Sequence, residues 1–500
     1  MLFFAATVAC NAEQPREEDS ADTAAASPTV FDSTYDVVVV GSGPAGAAAA
    51  IEATTAGASV VMFERETTPG MGVRLAGQAY GTGTPWQTEQ GVVDSLEEAQ
   101  ADWTLTTGED GQSESVTAYL LGTSETLSWL DEHGAGVSGP RAASGEGTKA
   151  RIHDLGWPGE GTPFEQITTG TAYTLRTGVE VTGPALQDGA VVGVYWRDMA
   201  TGETGATAAS GGVVVATGGF LRDLAAVAEV RPDLVALDPI FETLPSSNGG
   251  GTPFFTAVGA ARHRPEDIGA YVHSVEDPRT TTGEALILGQ TPSYVLVGAD
   301  GQRFIGQKSL GSFDVVGLAP EQGVWLVAAI DDPDTLTFSP PAYNWATLVV
   351  PEYYSFGEVL ELGSDELVRD PDLAVAASVA GVDSSVIQEV WEYNDLALTS
   401  QTDEFGDDLI PTDQLRGAVW VFVRVRAGLA KNFGGVLTDT AGRVLTPEGT
   451  PVPGLWAAGE CVGMVPGGGA GRGFSGSASA LYYGGRLGGA GAAARRPTAP

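Results

Sequence analysis

Residues 36–46 read DVVVVGSGPAG and decide the fold of this chain. The four consecutive valines are typical of a strand that is buried on both faces of a parallel sheet. A glycine-rich turn follows at once, and an alanine-rich run to about Ala56 predicts a helix that ends at Gly57. A second strand is predicted over residues 59–63, just before Glu64. This order of elements predicts a βαβ unit of the Rossmann type.

The glycine turn has the spacing GxGxxG, which is a weak signal alone but here follows a strand and opens a helix. Gly41 would allow the tight turn, Gly43 would let the backbone approach a pyrophosphate, and Gly46 would let helix and strand pack closely. Free N–H groups at the helix N-terminus attract phosphates. Glu64, 23 positions after Gly41, would bind a ribose diol and disfavours a 2′-phosphate. The unit is therefore predicted to bind a dinucleotide.

The composition excludes other classes of partner. The 500 residues include 64 acidic and 25 basic side chains, a formal net charge of −39 that repels nucleic acids. An acidic, lysine-poor surface fits either adaptation to salt or a bias in composition, and the sequence leaves both open. Glycine, at 69 residues, is about twice as frequent as usual. This favours a cofactor that the backbone approaches closely.

Two cysteines, Cys10 and Cys461, cannot form a disulfide framework, and the chain has no CxxC motif or Cys/His cluster. We therefore expect no metal site. Cys461 is interpreted as a small core residue rather than a reactive thiol.

The N-terminus resembles an export signal. Residues 1–10 are too short to span a bilayer, which takes about 20 apolar residues, but they are similar to the end of a secretory signal. Residues 7–10 loosely match a lipoprotein cleavage box, so Cys10 is a candidate lipid anchor of an exported, periplasmic or membrane-anchored protein. A frayed terminus of a cytoplasmic protein is the alternative. Residues 1–33 are predicted to be a signal followed by a disordered tether.

Further motifs follow the glycine turn in one order along the chain. They lie at residues 71–72, 77–84, 129–134, 212–220, 298–304, 432–436, 453–460 and 482–486. Together they resemble the FAD-binding domain of the fumarate reductase and succinate dehydrogenase flavoproteins, the FAD-dependent oxidoreductase 2 superfamily. Urocanate reductases and 3-ketosteroid dehydrogenases belong to the same superfamily.

The resemblance implies an α/β fold, α+β overall, in which a Rossmann-like FAD-binding domain carries an inserted capping domain. By analogy the FAD-binding domain comprises residues 34–268 and 433–500, and the substrate-capping domain residues 269–432. The glycine-rich segment before the last helix has so few side chains that its backbone can lie against a flat ring. The implied FAD-binding residues are Gly41, Gly43, Pro44, Ala45, Gly46, Glu64, Arg65, Gly72, Gln78, Ala216, Thr217, Gly218, Gly459, Glu460, Ser475 and Ser477.

The resemblance also implies catalytic residues, but this chain matches only some of the family's catalytic positions. Fumarate-reductase-like members hold a dicarboxylate with two histidines and an arginine. His273 lies near the position of the first histidine, and Arg472 near that of the arginine. These two are the candidate catalytic residues, with an ordinary loop role as the alternative for each.

Two family positions are not kept in this chain. The place of the proton-donating arginine falls at Gly311, and the usual Asn-Glu pair before it reads Gly306-Gln307. Residues 430–432, where the second histidine is expected, read AKN. Lys308 or Lys431 could replace a lost cation, but a solvated surface lysine is the simpler interpretation of each. A strict fumarate reductase is therefore not expected.

The reaction implied by the resemblance is hydride transfer between flavin N5 and a carbon–carbon bond activated by a carbonyl or carboxylate. One alternative is a 3-ketosteroid dehydrogenase, although Val465 stands where that branch has its tyrosine, and Tyr482 and Tyr483 lie on the final helix. Another is a flavin-binding electron carrier without a substrate. Because the chain has no CxxCH haem motif, we expect a small-molecule substrate and a separate electron donor or acceptor.

Overall fold

The computed structural model describes residues 30–142, 148–289, 293–306, 318–320, 323–340, 353–467 and 476–497. Cys10, Lys308, Gly311, Arg472 and Ser475, which the sequence analysis singled out, lie outside these residues. Within them, no helix combines the length and the apolar character that crossing a membrane requires.

The strands alternate with helices along the first third of the chain and dominate the middle. In chain order the strands are β1 (Ser33–Val40), β2 (Val60–Phe63), β3 (Gln78–Tyr80), β4 (Val137–Arg141), β5 (Ile152–Leu155), β6 (Thr174–Arg176), β7 (Val179–Gln187), β8 (Ala190–Asp198), β9 (Thr204–Val215), β10 (Ile240–Phe241), β11 (Arg262–His263), β12 (Ile268–Glu276), β13 (Ala285–Leu288), β14 (Tyr294–Gly298), β15 (Val324–Ile330), β16 (Thr337–Ser339), β17 (Tyr354–Ser355), β18 (Leu367–Asp370), β19 (Val419–Asn432), β20 (Gly435–Val436), β21 (Arg443–Leu445) and β22 (Pro451–Ala457).

The described residues also form thirteen α-helices. In chain order they are α1 (Pro44–Thr55), α2 (Met71–Leu75), α3 (Pro85–Glu89), α4 (Leu96–Thr107), α5 (Glu114–Glu132), α6 (Pro163–Ile167), α7 (Leu224–Val230), α8 (Pro232–Ala236), α9 (Thr252–Ala257), α10 (Phe356–Glu361), α11 (Leu373–Ala380), α12 (Val386–Leu398) and α13 (Ala478–Ala494).

The first sheet is built around β1. Its main path runs β21-β22-β9-β1-β2-β6, and β8 joins β7 to β9. β1 is parallel to both β2 and β9, with Val40 opposite Phe63 and Val215. Three of its valines, Val37 to Val39, are fully buried. The valine run therefore forms the central parallel strand that its composition predicts, and the α/β fold class is confirmed.

Helix α1 packs against α13, and both helices contact β1 and β9 of this sheet. Helix α1 ends at Thr55, with Gly57 in the left-handed region at φ +77°, as the sequence predicts. The last helix, α13, contains several glycines and runs through Gly489 to Ala494. A β-carbon on Gly489 would lie 2.2 Å from the carbonyl oxygen of Ala49. The glycines of α13 thus permit close packing of the two helices and do not end the helix.

The ordered sheet begins slightly before the end of the tether that the sequence predicts over residues 1–33. Strand β1 already begins at Ser33, and the backbone N–H of Asp32 donates to the carbonyl of Ala206 at 2.9 Å. The Asp32 carboxylate accepts from the N–H of Ala206 at 2.8 Å. Asp32 and Ser33 are therefore tied to the first sheet at the start of its central strand.

A second sheet collects strands from the middle of the chain. Its main path runs β14-β15-β19-β12-β13-β16-β17, and β10 and β18 also pair with β19. Strand β19 covers fourteen residues, Val419–Asn432. Its last residues remain paired with β12 up to Asn432 and also line the cavity described below.

Candidate functional site

A cavity of about 800 Å³ lies where the carboxyl ends of the parallel strands β1, β2 and β9 meet. Its wall consists largely of residues that directly follow those strands: Val40 to Ala45, Phe63 to Glu66, and Ala216 to Gly218. Ligands of open parallel sheets bind at this edge, because the loops there face away from the packed helices.

The three glycines of the turn differ in what surrounds them. Gly41 has φ +99°, and a β-carbon there would lie 2.4 Å from the carbonyl oxygen of Ala216. At Gly46 a β-carbon would lie 1.9 Å from the carbonyl oxygen of Gly41. Gly43 is the opposite case, since no described atom comes within 4 Å of a β-carbon built on it. Gly41 and Gly46 permit close packing, whereas Gly43 faces open cavity.

The N-terminus of α1 opens into the same cavity. Its N-cap, Gly43, has no side chain to accept a hydrogen bond from the first turn. Other helices of the described chain are capped, for example α3 by Thr84 and α4 by Ser95. The first N–H groups of α1 and its positive dipole end are therefore directed at the cavity, which suits a phosphate.

The Glu64 carboxylate is held at the end of β2. Its Oε2 accepts from the backbone N–H of Ser42 at 2.9 Å and from the Ser42 hydroxyl at 2.5 Å. Its Oε1 accepts from the N–H of Glu66 at 2.8 Å. These bonds orient an acceptor beside the glycine turn, at the place where a ribose hydroxyl would donate to it.

The opposite wall follows β9 and β22. The hydroxyl of Thr217 is buried and has no hydrogen-bond partner among the described residues. Glu460 accepts from the N–H of Asn432 at 2.8 Å. Burial raises the pKa of Glu460, while that N–H and the charge of Lys431 act in the opposite direction. This wall therefore combines a polar group without a partner and a buried carboxyl.

Most of the predicted FAD-binding residues meet in this cavity. Gly46 lies beneath the turn and packs without lining it, and Gln78 is solvent-exposed at the start of β3, outside the cavity wall. The residues that line it are Gly41, Gly43, Pro44, Ala45, Glu64, Arg65, Gly72, Ala216, Thr217, Gly218, Gly459, Glu460 and Ser477.

Of the catalytic candidates, His273 lies on β12, and its neighbour Glu242 lines the cavity although His273 does not. Lys431, expected as a solvated lysine, is half-buried at the end of β19 and lines the cavity. Its position before Gly434-Gly435 was the one sequence feature that could have indicated this. Glu242, Thr243 and Asn248 also line it, and no sequence pattern marks them.

The residues present fit a dinucleotide. The open space at Gly43 and the uncapped start of α1 suit a pyrophosphate, Glu64 suits a ribose, and the buried Thr217 hydroxyl lacks a partner that a ligand would supply. The fold and this cavity define a dinucleotide-binding protein of the Rossmann class.

The particular family follows from comparison with known proteins. The sequence matches the family described as the FAD binding domain over residues 36–475. The chain belongs to this family, its cofactor is FAD, and it is an FAD-dependent oxidoreductase. The sequence resemblance to the fumarate reductase superfamily is thereby confirmed.

Individual relatives are distant but cover most of the chain. Fumarate reductase (cytochrome) of Shewanella frigidimarina is 26% identical over 464 residues, which are 90% of this chain and 76% of the relative. Urocanate reductase of Eggerthella lenta is 26% identical, over 92% of this chain and 74% of the relative. The open conformation of a flavocytochrome c3 fumarate reductase superposes with a TM-score of 0.71 at 24% identity, over 93% of this chain and 79% of that one. This structural likeness shows the fold.

Cys461 is expected to resist alkylation in the native protein. Its side chain is 8% exposed, and its S–H donates to the carbonyls of Ala458 and Val215. Burial raises the pKa of Cys461 to about 12, and only the thiolate is nucleophilic. Peptide mapping after iodoacetamide treatment should find Cys461 labelled only if the protein was first denatured. Rapid labelling of the native protein would contradict this placement.

Proposed function

We propose that this enzyme reduces the carbon–carbon double bond of an enoate, an unsaturated acid whose carboxylate activates the bond. The observation that carries the proposal is that Lys431, Glu242 and the dinucleotide-binding turn share one cavity. When bound, FAD supplies hydride transfer at its N5 position. The chain's own residues bind the cofactor, orient the substrate and exchange a proton.

The cofactor-binding roles follow from the groups on the wall. The N–H groups at the start of α1, beginning with that of Ala45, would donate to the pyrophosphate. Glu64 accepts from a ribose hydroxyl, and the Thr217 hydroxyl gains a ligand partner. These assignments are part of the proposal, as is the division into an FAD-binding domain, residues 34–268 and 433–500, and a capping domain, residues 269–432. The two sheets support that division, with β10 as a segment of the first part that pairs in the second sheet.

An anionic substrate needs a local cation in so acidic a protein. The formal charge of −39 repels anions at long range, so the cavity must attract a carboxylate at short range. Lys431 lies on its wall, and Arg472 belongs to the glycine-rich segment before α13. We assign carboxylate binding to these two residues. This replaces the simpler interpretation of Lys431 as a surface residue.

The ketosteroid dehydrogenase alternative has less support. Tyr482 is fully buried and packs near Trp129, with ring centroids 6.3 Å apart. Tyr483 lies edge-on to Tyr119 at 5.8 Å. Neither tyrosine lines the cavity, so neither is placed to stabilise an enolate there.

The test is a substrate screen on the holoprotein. Dithionite-reduced enzyme is mixed anaerobically with fumarate, urocanate and simple enoates, and return of the oxidised flavin absorbance is followed. A dye-linked oxidase assay on saturated ketones and steroids runs in parallel. We expect reoxidation by at least one enoate with stoichiometric saturated product. Desaturation of ketones alone would favour the dehydrogenase, and no turnover in either assay would leave a flavin-binding protein without substrate.

Location and electron supply are proposed from the sequence alone. The apolar start and Cys10 support an exported protein with a lipid anchor. Because the sequence has no CxxCH motif, the proposal includes a separate electron donor or acceptor.

A further inference from the structure

We propose that Glu242 is the proton-transfer group of this cavity and that His273 positions it and renews its proton. The inference rests on the proposed function, because reduction of an activated double bond needs a proton at one carbon as well as a hydride at the other. By the resemblance, the place of the family's proton-donating arginine falls at Gly311 in this sequence. We therefore look for the proton donor among the described residues of the cavity wall.

Glu242 is anchored at the junction of the two sheets. It directly follows β10, and its backbone N–H donates to the carbonyl of Leu429 in β19 at 2.9 Å. Its side chain is only 6% exposed, yet it lines the cavity. The carboxyl is thus shielded from bulk water and faces the site.

One carboxyl oxygen of Glu242 is fully used by the protein. Oε1 accepts from the Ser274 hydroxyl at 2.7 Å and lies 3.1 Å from Nε2 of His273. It also sits against the backbone of Gly428, where a β-carbon would come within 1.9 Å of it. Oε2 has no hydrogen bond to any residue that the structure describes. The side chain is therefore fixed through one oxygen, and the other is available to a ligand.

A β-bulge places His273 against Glu242. The pairing of β12 with β19 shifts between Val272 and Ser274, so His273 is the extra residue. Bulges re-aim side chains and are frequent beside active sites. The imidazole also stacks on Tyr271 at 5.1 Å, with an interplanar angle of 15°. Its side chain is 21% exposed, so it connects the buried carboxyl with solvent.

The charges on the wall favour proton transfer over substrate binding for Glu242. An ionised carboxylate repels an anionic substrate, whereas a protonated one does not. As the double bond is reduced, its electron pair forms the new C–H bond with the proton of the Glu242 carboxyl, which becomes a carboxylate. His273 then donates a proton from Nε2 to Oε1 and regains one from solvent, and rotation of the carboxyl group turns the protonated oxygen back to the site. Each turnover thus consumes one solvent proton.

The test compares matched Glu→Gln variants of the holoenzyme. Glu242→Gln keeps the size and the acceptor oxygen but cannot supply the proton. We expect kcat for the enoate that the wild type reduces to fall by about 100-fold or more, with KM little changed and the flavin spectrum intact. Glu242→Asp, which keeps an acid, should recover part of kcat. Glu276→Gln, near the end of the same strand as His273 and outside the cavity wall, should be close to the wild type.

Histidine NMR gives a readout that does not depend on turnover. The chain has four histidines, so the Nε2 resonance of His273 can be assigned by its loss in His273→Asn. We expect Glu242→Gln to shift that resonance and Glu276→Gln to leave it in place. His273→Asn should lower kcat, with little effect on KM.

The outcomes separate the two proposals. Wild-type turnover with an undiminished kcat in Glu242→Gln, or an unmoved His273 resonance, would overturn the role of the pair and leave the proposed function standing. If the wild type reduces no enoate, the proposed function fails and this inference fails with it.

Discussion

Replacing Gly43 by valine is expected to abolish FAD binding while the protein still folds. Gly43 has φ −65° and ψ −175°, a conformation that valine adopts readily. No described atom lies within 4 Å of a β-carbon at this position, so the side chain fits the apoprotein. It would occupy the space beside the first N–H groups of α1, where the pyrophosphate must lie. Loss of two charge-assisted hydrogen bonds costs about 3 kcal/mol or more, which raises Kd at least about 100-fold.

The measurement is FAD content after purification and titration of the apoprotein, with circular dichroism to verify the fold. Gly156→Val is the matched control, since Gly156 is exposed, lies away from the cavity, and has only an ordinary contact at 3.5 Å. Gly46→Val should behave differently again and destabilise the fold, because its β-carbon overlaps the Gly41 carbonyl. A yellow Gly43→Val protein with normal affinity would refute the cofactor placement.

Arg151→Ala is expected to lower the free energy of unfolding by about 3–5 kcal/mol. Arg151 is 2% exposed, and its guanidinium bridges two carboxylates, with Nη2 2.5 Å from Oδ1 of Asp94 and Nη1 bonded to Asp102. Removing it leaves both carboxylates buried without a cation, a cost larger than the loss of the ion pair itself. Denaturant unfolding of the FAD-saturated proteins measures the difference.

The exposed pair of Arg141 and Asp154 provides the control, because a solvated ion pair at 3.2 Å contributes less than about 1 kcal/mol. Equal destabilisation by Arg141→Ala and Arg151→Ala would contradict the burial argument. Urea unfolding of both variants and the wild type under the same conditions gives the free energies of unfolding that are compared.

The pH dependence of the Arg151 effect has a defined sign. Burial alone would raise the pKa of Asp94 and of Asp102, but hydrogen bonds, including those from Arg151, hold both below the usual 3.8. Carboxyls with a lowered folded pKa add stability above their unfolded pKa and lose it as the pH falls through the folded pKa. The difference in free energy of unfolding between the wild type and Arg151→Ala should therefore become smaller below about pH 4. A difference that becomes larger in acid would contradict this.

The sequence by itself determined the parts of the molecule that depend on neighbouring residues. The valine run, the glycine spacing and the alanine-rich helix are local patterns, and the conformation of each follows from its own side chains. Residues 36–64 therefore predicted β1, the turn, α1 and β2 together with the position of Glu64. The FAD family was also evident from motifs that follow one another along the chain. Gly43 could be assigned to the pyrophosphate before any cavity was known.

Only the tertiary structure decided which distant segments meet. Glu242 and His273 come together through a bulge in β12, and Lys431 reaches the cavity because the pairing of β19 with β12 continues to the end of both strands. Gln78, which the resemblance implies at the cofactor, lies at the start of β3 outside the cavity wall. Strand register, bulges and the packing of two sheets set these positions. They arise from contacts between residues far apart in sequence, so no local pattern of side chains encodes them.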